Sequence, residues 1–267
     1  MPRRSRPSSH RRRLRSEVLV LNEPLAFNHP KVQRLRRLLG RRSSRTDEGA
    51  FVVEGPVLIA EAVAAGWTVE AEYVANGGAS VSGAPVFELA DGVLERVATT
   101  ERPRPNLAVV LIPATDPTQL VRAGFVVVAD RLNDPGNLGT ILRSCEAAGV
   151  DAVVLTPDSV DPFNPKVVRA SAGSLFHVPV VVATLDQVGG SGLRLVGTSS
   201  HQGVRHVEAD WTGRLAIVLG NEAHGLADDA PVDDWVRIQH RGRAESLNVA
   251  MAGTVLVFEA SRARTST

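Results

Sequence analysis

A chain of 267 residues, 43% hydrophobic and 22% charged, is long enough to bury a sizeable core and has the balance of an ordinary globular protein. Its single cysteine, Cys145, excludes an intrachain disulfide framework, and no apolar run approaches the ~20 residues of a membrane span. The N-terminal arginines have no apolar stretch behind them, so the sequence reads as cytoplasmic and not secreted, with no membrane segment. The net charge of +1 conceals an asymmetry. Residues 1–48 hold 14 of the 30 basic and 4 of the 29 acidic residues, a local balance of +10 against −9 for the remainder. Such a split points to a nucleic-acid or other acidic partner met at one end of the molecule.

Residues 1–24 read as a basic disordered arm. Over 31–45, Val32, Leu35, Leu38 and Leu39 recur at helical spacing while Lys31, Arg34, Arg36, Arg37, Arg41 and Arg42 decorate the other faces. This predicts one amphipathic basic helix, with Arg34, Arg37, Arg41 and Arg42 facing a phosphate backbone. The unit 25–113 continues as small α/β: FVVEG as a strand, PVLIAEAVAAG as a helix closed by Gly66, VEAEYVA as a strand, GAPVFELA and GVLERVAT as a further strand and helix, and LAVVLI as another strand. A Pro- and Thr-containing connection, 114–124, marks a domain boundary.

The second domain, 125–267, alternates. Strands are expected at 125–129, 152–156, 178–182, 193–198, 215–219 and 235–238, with helices at 137–148, 164–172 and 246–262. Near-continuous apolar strands separated by helices imply a parallel sheet covered on both faces, and such sheets bind ligands at the carboxyl ends of their strands. The loops to inspect therefore follow Ala129, Val196, Leu219 and Ile238.

Three of these loops carry chemistry. After Ala129, Asn133, Asp134, Pro135 and Gly136 form a tight polar turn. A helix is expected from Asn137, whose side chain can cap it, to Gly149. Arg143 lies inside it among Leu138, Ile141, Leu142, Cys145 and Ala148, where a charge calls for an explanation. After Leu219, Asn221 and Glu222 stand between Gly220 and Gly225, either as polar groups that orient a ligand or as a simple polar turn. After Ile238 come His240, Arg241 and Arg243, then Glu245, Ser246, Leu247 and Asn248. Glu245 and Ser246 read as caps of the last helix. Asn248, two residues inside, gains nothing from capping and should face something. A nicotinamide site fails for want of a G-x-G-x-x-G fingerprint around Gly136 and Gly139, although Asp158 could imitate the ribose-binding acid. His201 and His206 have no ligand partners at metal spacing, so no metal is expected.

Taken together, Asn137-Leu138-Gly139 through Arg143, Leu219-Gly220-Asn221-Glu222 through Gly225, and Ser246-Leu247-Asn248-Val249 resemble the three ordered motifs of the SpoU family of RNA 2′-O-ribose methyltransferases, within the SPOUT superfamily. The stretch from Lys31 to Pro113, with its FVVEGPVLIAEA string, resembles that family's substrate-binding domain, and the closest flavour is the ribosomal-RNA and thiostrepton-resistance subgroup. The resemblance implies an α/β fold, with a C-terminal parallel-sheet domain tied in a deep trefoil knot and a small N-terminal α/β RNA-binding domain. It implies S-adenosyl-L-methionine bound against Thr198, Leu219, Gly220, Ile238, Ser246 and Leu247. It also implies a homodimer, a reaction centre lined by Asn137, Arg143, Glu222, Ser246 and Asn248, and 23S ribosomal RNA as substrate. Transfer RNA, or an RNA-binding protein without activity, are the alternatives. The family assigns the residue at Arg143 as general base. Because a protein arginine is effectively always protonated, we read Arg143 as a clamp on phosphate or ribose, with proton loss shared by Glu222 or water, or else as a salt bridge to Glu222. The sequence departs from the family's third motif at Gln239, where proline is usual, and at Ala250, where a small polar residue is usual. Neither position supplies a reacting group.

Overall fold

Two sheets, each begun by a run of β-branched residues, carry the molecule. The computed structural model describes residues 23–265 except Asn76 and Ala244, so the basic arm lies almost wholly outside the described residues. Helix α1 (Pro30–Gly40) buries Val32, Leu35, Leu38 and Leu39, the stripe that the spacing required. It does not continue to residue 45. Arg41 adopts an extended backbone (φ −126, ψ 123) and a second helix, α2 (Arg42–Glu48), turns Arg45 into the interior. The break follows Gly40, a poor helix former.

The first sheet consists of β1 (Ala50–Glu54), then, after helix α3 (Pro56–Ala64), β2 (Val69–Val74) and β3 (Val86–Glu88), and, after helix α4 (Val93–Val97), β4 (Asn106–Leu111). Their order is β1-β4-β2-β3, with β4 antiparallel to both neighbours and β2 parallel to β3. Alternation divides the faces: Ala50 and Val52 meet α1 and α4, whereas Phe51 and Val53 join the core shared with the second half.

That second half contains β5 (Phe125–Ala129), α5 (Pro135–Ala147), β6 (Ala152–Leu155), α6 (Pro165–Ala170), β7 (Val180–Val182), α7 (Leu185–Gly190), β8 (Arg194–Ser199), β9 (Val204–Arg205), β10 (Leu215–Leu219), β11 (Asp234–Arg237) and α8 (Val249–Thr265). The strands form one sheet, β7-β6-β5-β10-β8-β11-β9, in which every pairing is parallel. Valine dominates β5 and β6, and both are buried throughout, as a sheet covered on two faces demands.

Two helix starts differ from the sequence reading. Asp134, not Asn137, caps α5, its carboxylate accepting from Asn137 N at 2.8 Å, and Pro135 opens the helix. Helix α8 begins at Val249 instead of 246, so Asn248 is its cap and neither Glu245 nor Ser246 is. The two-residue β9 and the short α7 were too brief to leave a periodic signal.

Helices α5 and α6 touch at Gly139. A methyl group there would sit 2.4 Å from the Cβ and 2.8 Å from the carbonyl carbon of Ala170, neither of which can rotate away. Gly139→Ala should therefore cost about 1–3 kcal/mol by overpacking, read as a lower urea midpoint at unchanged slope. A parental midpoint would mean that α6 yields freely.

The sheet also contains a crossing. β11 lies between β8 and β9, yet the connection 200–203 joins those two outer strands directly. Val236 faces Thr198 on one side and Val204 on the other, so 200–203 must pass over β11. Gly203 makes the passage at φ +88, where a Cβ would lie 2.1 Å from Trp235 O.

Candidate active site

β5, β10, β8 and β11 end side by side, and the loops leaving them form the site. Asp130 N donates to Leu219 O at 2.8 Å, extending the β5–β10 pairing to the root of both loops. Beyond Leu219 the chain turns so tightly that a Cβ on Gly220 would meet the Gly225 carbonyl carbon at 2.2 Å. Asn221 clips this turn: its Oδ1 accepts from Ala223 N (2.9 Å) and its Nδ2 reaches Arg131 O in the neighbouring loop (2.7 Å). Arg131 itself is held at φ +48, a strained conformation for a side-chain-bearing residue.

Glu222 ties the first loop to the second. Its carboxylate accepts from Asp134 N (2.8 Å), Asn133 N (3.1 Å) and Asn137 Nδ2 (3.2 Å). Partial burial pushes the carboxyl upward, but the N–H groups of Asp134, Glu222 itself and Asn133, together with the Asn137 amide, outweigh it and hold the group below its usual range. Glu222 is thus an ionised anchor and a weak base. The third loop joins through Asn248, whose Nδ2 donates to Asn137 Oδ1 at 3.0 Å while its Oδ1 caps α8 through Ala250 N at 3.0 Å. One chain of hydrogen bonds, Asn248 to Asn137 to Glu222, therefore links three loops far apart in sequence.

Arg143 stands nearly two turns farther along α5, exposed, with no carboxylate of the described residues at ion-pair distance. The salt bridge to Glu222 is absent. Next to it, Ser144 Oγ touches Thr254 Oγ1 of α8 at 2.7 Å. Thr198 lies in β8 with its hydroxyl donating to Val218 O (2.9 Å). Leu219 and Gly220 are buried at the end of β10, and Ile238 is half-buried just past β11. Ser246 and Leu247 are exposed immediately before α8. Leu219, Ile238 and Leu247 offer apolar side chains and Thr198 and Ser246 hydroxyls, a lining that fits the adenosine of S-adenosylmethionine.

The arginines expected on RNA divide. Arg34 is ion-paired with Glu48 (2.6 Å) and Glu70, and Arg42 Nη1 donates to Ser159 O at 2.9 Å. Arg37 is half-exposed, with Glu48 at 3.6 Å, and Arg41 is exposed. The sequence reading named Asn133, Asp134 and Asn221 in two of the chemistry-bearing loops but missed that they tie those loops together. They act through backbone groups or through partners some 90 residues away, which no local pattern signals.

Comparison with known proteins places this geometry. The SpoU rRNA Methylase family model matches residues 124–258, and an MRM3-like substrate binding domain matches 29–108. The chain is 34% identical to a 23S rRNA (guanosine(2553)-2′-O)-methyltransferase of Bacillus subtilis, over 82% of this chain and 92% of that protein. It is 32% identical to a 23S rRNA (uridine(2479)-2′-O)-methyltransferase of Streptomyces viridochromogenes, over 95% and 97%. Among solved structures, the SpoU methyltransferase AviRb of Streptomyces viridochromogenes, in complex with its cofactor AdoMet, superimposes with a TM-score of 0.80 at 32% identity, covering 89% of this chain and 100% of that one. By motif order, fold and similarity along most of its length, the chain belongs to the SpoU rRNA methylase family.

Proposed function

We propose that the protein transfers a methyl group from S-adenosylmethionine to a ribose 2′-hydroxyl of 23S ribosomal RNA, in the cytoplasm and as a homodimer. The observation that carries this reading is the Asn248–Asn137–Glu222 chain at the carboxyl edge of the sheet, with Arg143, on the same helix as Asn137, exposed and without an ion-pair partner among the described residues. A 2′-hydroxyl is a poor nucleophile, and much of the catalysis consists of aligning it. Thr198, Leu219, Gly220, Ile238, Ser246 and Leu247 would hold the cofactor, which when bound supplies an electrophilic methyl group. The Asn137 and Asn248 amides orient the ribose, Ser246 lies beside them, and Arg143 clamps a phosphate. Because Glu222 is engaged by N–H donors on several sides, the proton leaves to water or to the substrate's own phosphate. Arg37 and Arg41 carry the basic surface of the N-terminal half toward the RNA backbone.

The test is transfer of labelled methyl to total RNA followed by alkaline digestion, since a 2′-O-methyl blocks cleavage at its own nucleotide. Alkali-resistant label in 23S RNA is expected. Label in transfer RNA would replace the substrate, and RNA binding without label would reduce the protein to a binding module.

The dimer reading rests on α8. Met251, Val255 and Phe258, at helical spacing, are 54%, 40% and 45% exposed, an apolar stripe opposite the face that packs on α5 and β10. Arg143 borders it through the Ser144–Thr254 contact. Phe258→Glu should halve the sedimenting mass at micromolar concentration and lower turnover with it. A parent protein that sediments as a monomer would overturn the dimer.

A further inference from the structure

Far from the three motifs, the two halves of the molecule meet at a buried charge. Arg45, on α2, and Asp161, in the loop between β6 and α6, are 4% and 8% exposed. Arg45 Nε donates to Asp161 Oδ2 at 2.7 Å and Nη2 lies 2.6 Å from the same oxygen, while Nη1 donates to Leu38 O at the end of α1 (2.5 Å). Asp161 Oδ1 accepts from Phe163 N at 2.9 Å. Nearby, Arg42 Nη1 donates to Ser159 O. An ion pair so buried is expensive to desolvate, and an apolar pair of similar volume is often as stable. What it supplies instead is a fixed geometry.

The loop that it grips leads to the reaction centre. Val160 N donates to Leu132 O at 2.7 Å, Thr156 Oγ1 donates to Asp130 Oδ1 at 2.8 Å, and Arg131 N donates to Thr156 Oγ1 at 2.8 Å. Residues 130–134 are the segment whose amides hold Glu222 and whose Arg131 carbonyl receives Asn221. Arg45 is thus connected to Asn137 and Asn248 by hydrogen bonds that are joined through the peptide links Val160–Asp161 and Leu132–Asn133. Elsewhere the seam combines edge and tilted ring contacts of Phe51, Trp67, Phe163 and Phe176 with polar ties that do not lead to the 130–134 segment: Trp67 Nε1 donates to Phe176 O (3.0 Å), Arg169 pairs with Glu54 (2.9 Å) and His177 Nε2 lies 2.6 Å from Glu61 Oε1.

We propose that Arg45 and Asp161 are positioning residues. They set the distance and angle between the half that holds RNA and the loop that presents the ribose, and so decide which nucleotide is methylated. The proposal rests on the RNA reading above. The N-terminal half then works as a ruler whose zero is fixed at this pair. Arg45 touches neither cofactor nor the reacting atoms.

The test is the full-length Arg45→Met/Asp161→Asn double variant. It removes both charges while leaving an acceptor for Phe163 N, so that no charge stays buried alone. Three readouts are taken: S-adenosylmethionine binding by equilibrium dialysis, the distribution of 2′-O-methyl groups over neighbouring nucleotides, and amide exchange at Asn133 and Asp134. Expected are cofactor affinity within about twofold of the parent, turnover at the parental nucleotide lower by about tenfold to a hundredfold, label spread to adjacent riboses, and faster exchange of the two amides. Methylation confined to the parental nucleotide at parental turnover would overturn the proposal. Loss of cofactor binding together with turnover would overturn it too, because the pair would then serve only general folding. If the parent methylates no RNA, the RNA reading fails by itself, and unchanged exchange at Asn133 and Asp134 would still refute the coupling.

Discussion

Glu222→Ala should lower turnover on RNA by about a hundredfold, the size of loss that follows from displacing a reacting group by roughly 1 Å. The carboxylate is bonded to Asn133 N, Asp134 N and Asn137 Nδ2. Without it those donors are unpaired, the Asp130–Pro135 turn loosens, and the Asn137 amide that receives Asn248 loses its orientation. Glu222→Gln should be nearly as damaging, because an NH2 group would face N–H donors where an acceptor is needed. Steady-state kinetics with S-adenosylmethionine at saturation measures the effect, and a fully active Gln variant would refute the anchoring role. The pH dependence has a defined sign. The folded state lowers the carboxyl's pKa, so the ionised anchor is complete above the ordinary carboxylate range and is lost only as pH falls through the depressed value. Between about pH 6 and 9, turnover should show no limb from Glu222. A limb there that disappears in the Gln variant would mean that Glu222 takes the proton after all.

Arg143 carries the second large effect. Removing one preorganised charged donor costs about a hundred- to a thousandfold, and Arg143→Ala should fall in that range, with S-adenosylmethionine binding retained. Arg143→Lys separates clamp from base. A lysine deprotonates more readily than an arginine but presents no planar fork, so it should rescue a general base and fail as a bidentate clamp. The exposed guanidinium, with no carboxylate of the described residues beside it, presents its planar fork to a phosphate. Low activity in the lysine variant that does not recover toward alkaline pH is therefore expected. Recovery with rising pH would instead establish Arg143 as the base.

How far the sequence could be read depended on where each residue's partner lay. β5 and β10 were legible to the residue because an unbroken apolar run bounded by turn formers has one reading in a parallel sheet. Asn137, Glu222 and Asn248 could be singled out by their order along the chain, but their mutual bonds could not, since the contacts span up to 111 residues. Asn248 shows why a boundary matters. Placed two residues inside a helix it seemed free of capping duty, whereas the helix begins one residue later, so its two amide atoms do two jobs. The break at Arg41 was hidden because Arg41 and Arg42 continued the basic face that the apolar stripe had defined. Nothing in the local pattern set Arg45 apart. Only the approach of Asp161 from 116 positions away makes it interior.

The passage of 200–203 over β11 bears on how the chain is made. β8 and β9 emerge from the ribosome before β10 and β11, yet β11 must come to rest between them. Strand pairing alone cannot accomplish this: either the tail beyond Asp234 is drawn beneath 200–203, or that connection is laid across a strand already in place. Loop threading of this kind is rare because a moving segment must pass before its contacts reward it. Maturation should therefore end with a slow step that belongs to the C-terminal quarter alone. On the first route a folded partner joined after Thr267 would have to make the same journey, while one joined ahead of Met1 would not on either. Gly203 sets the gauge of the opening, and any side chain there narrows it for everything that follows.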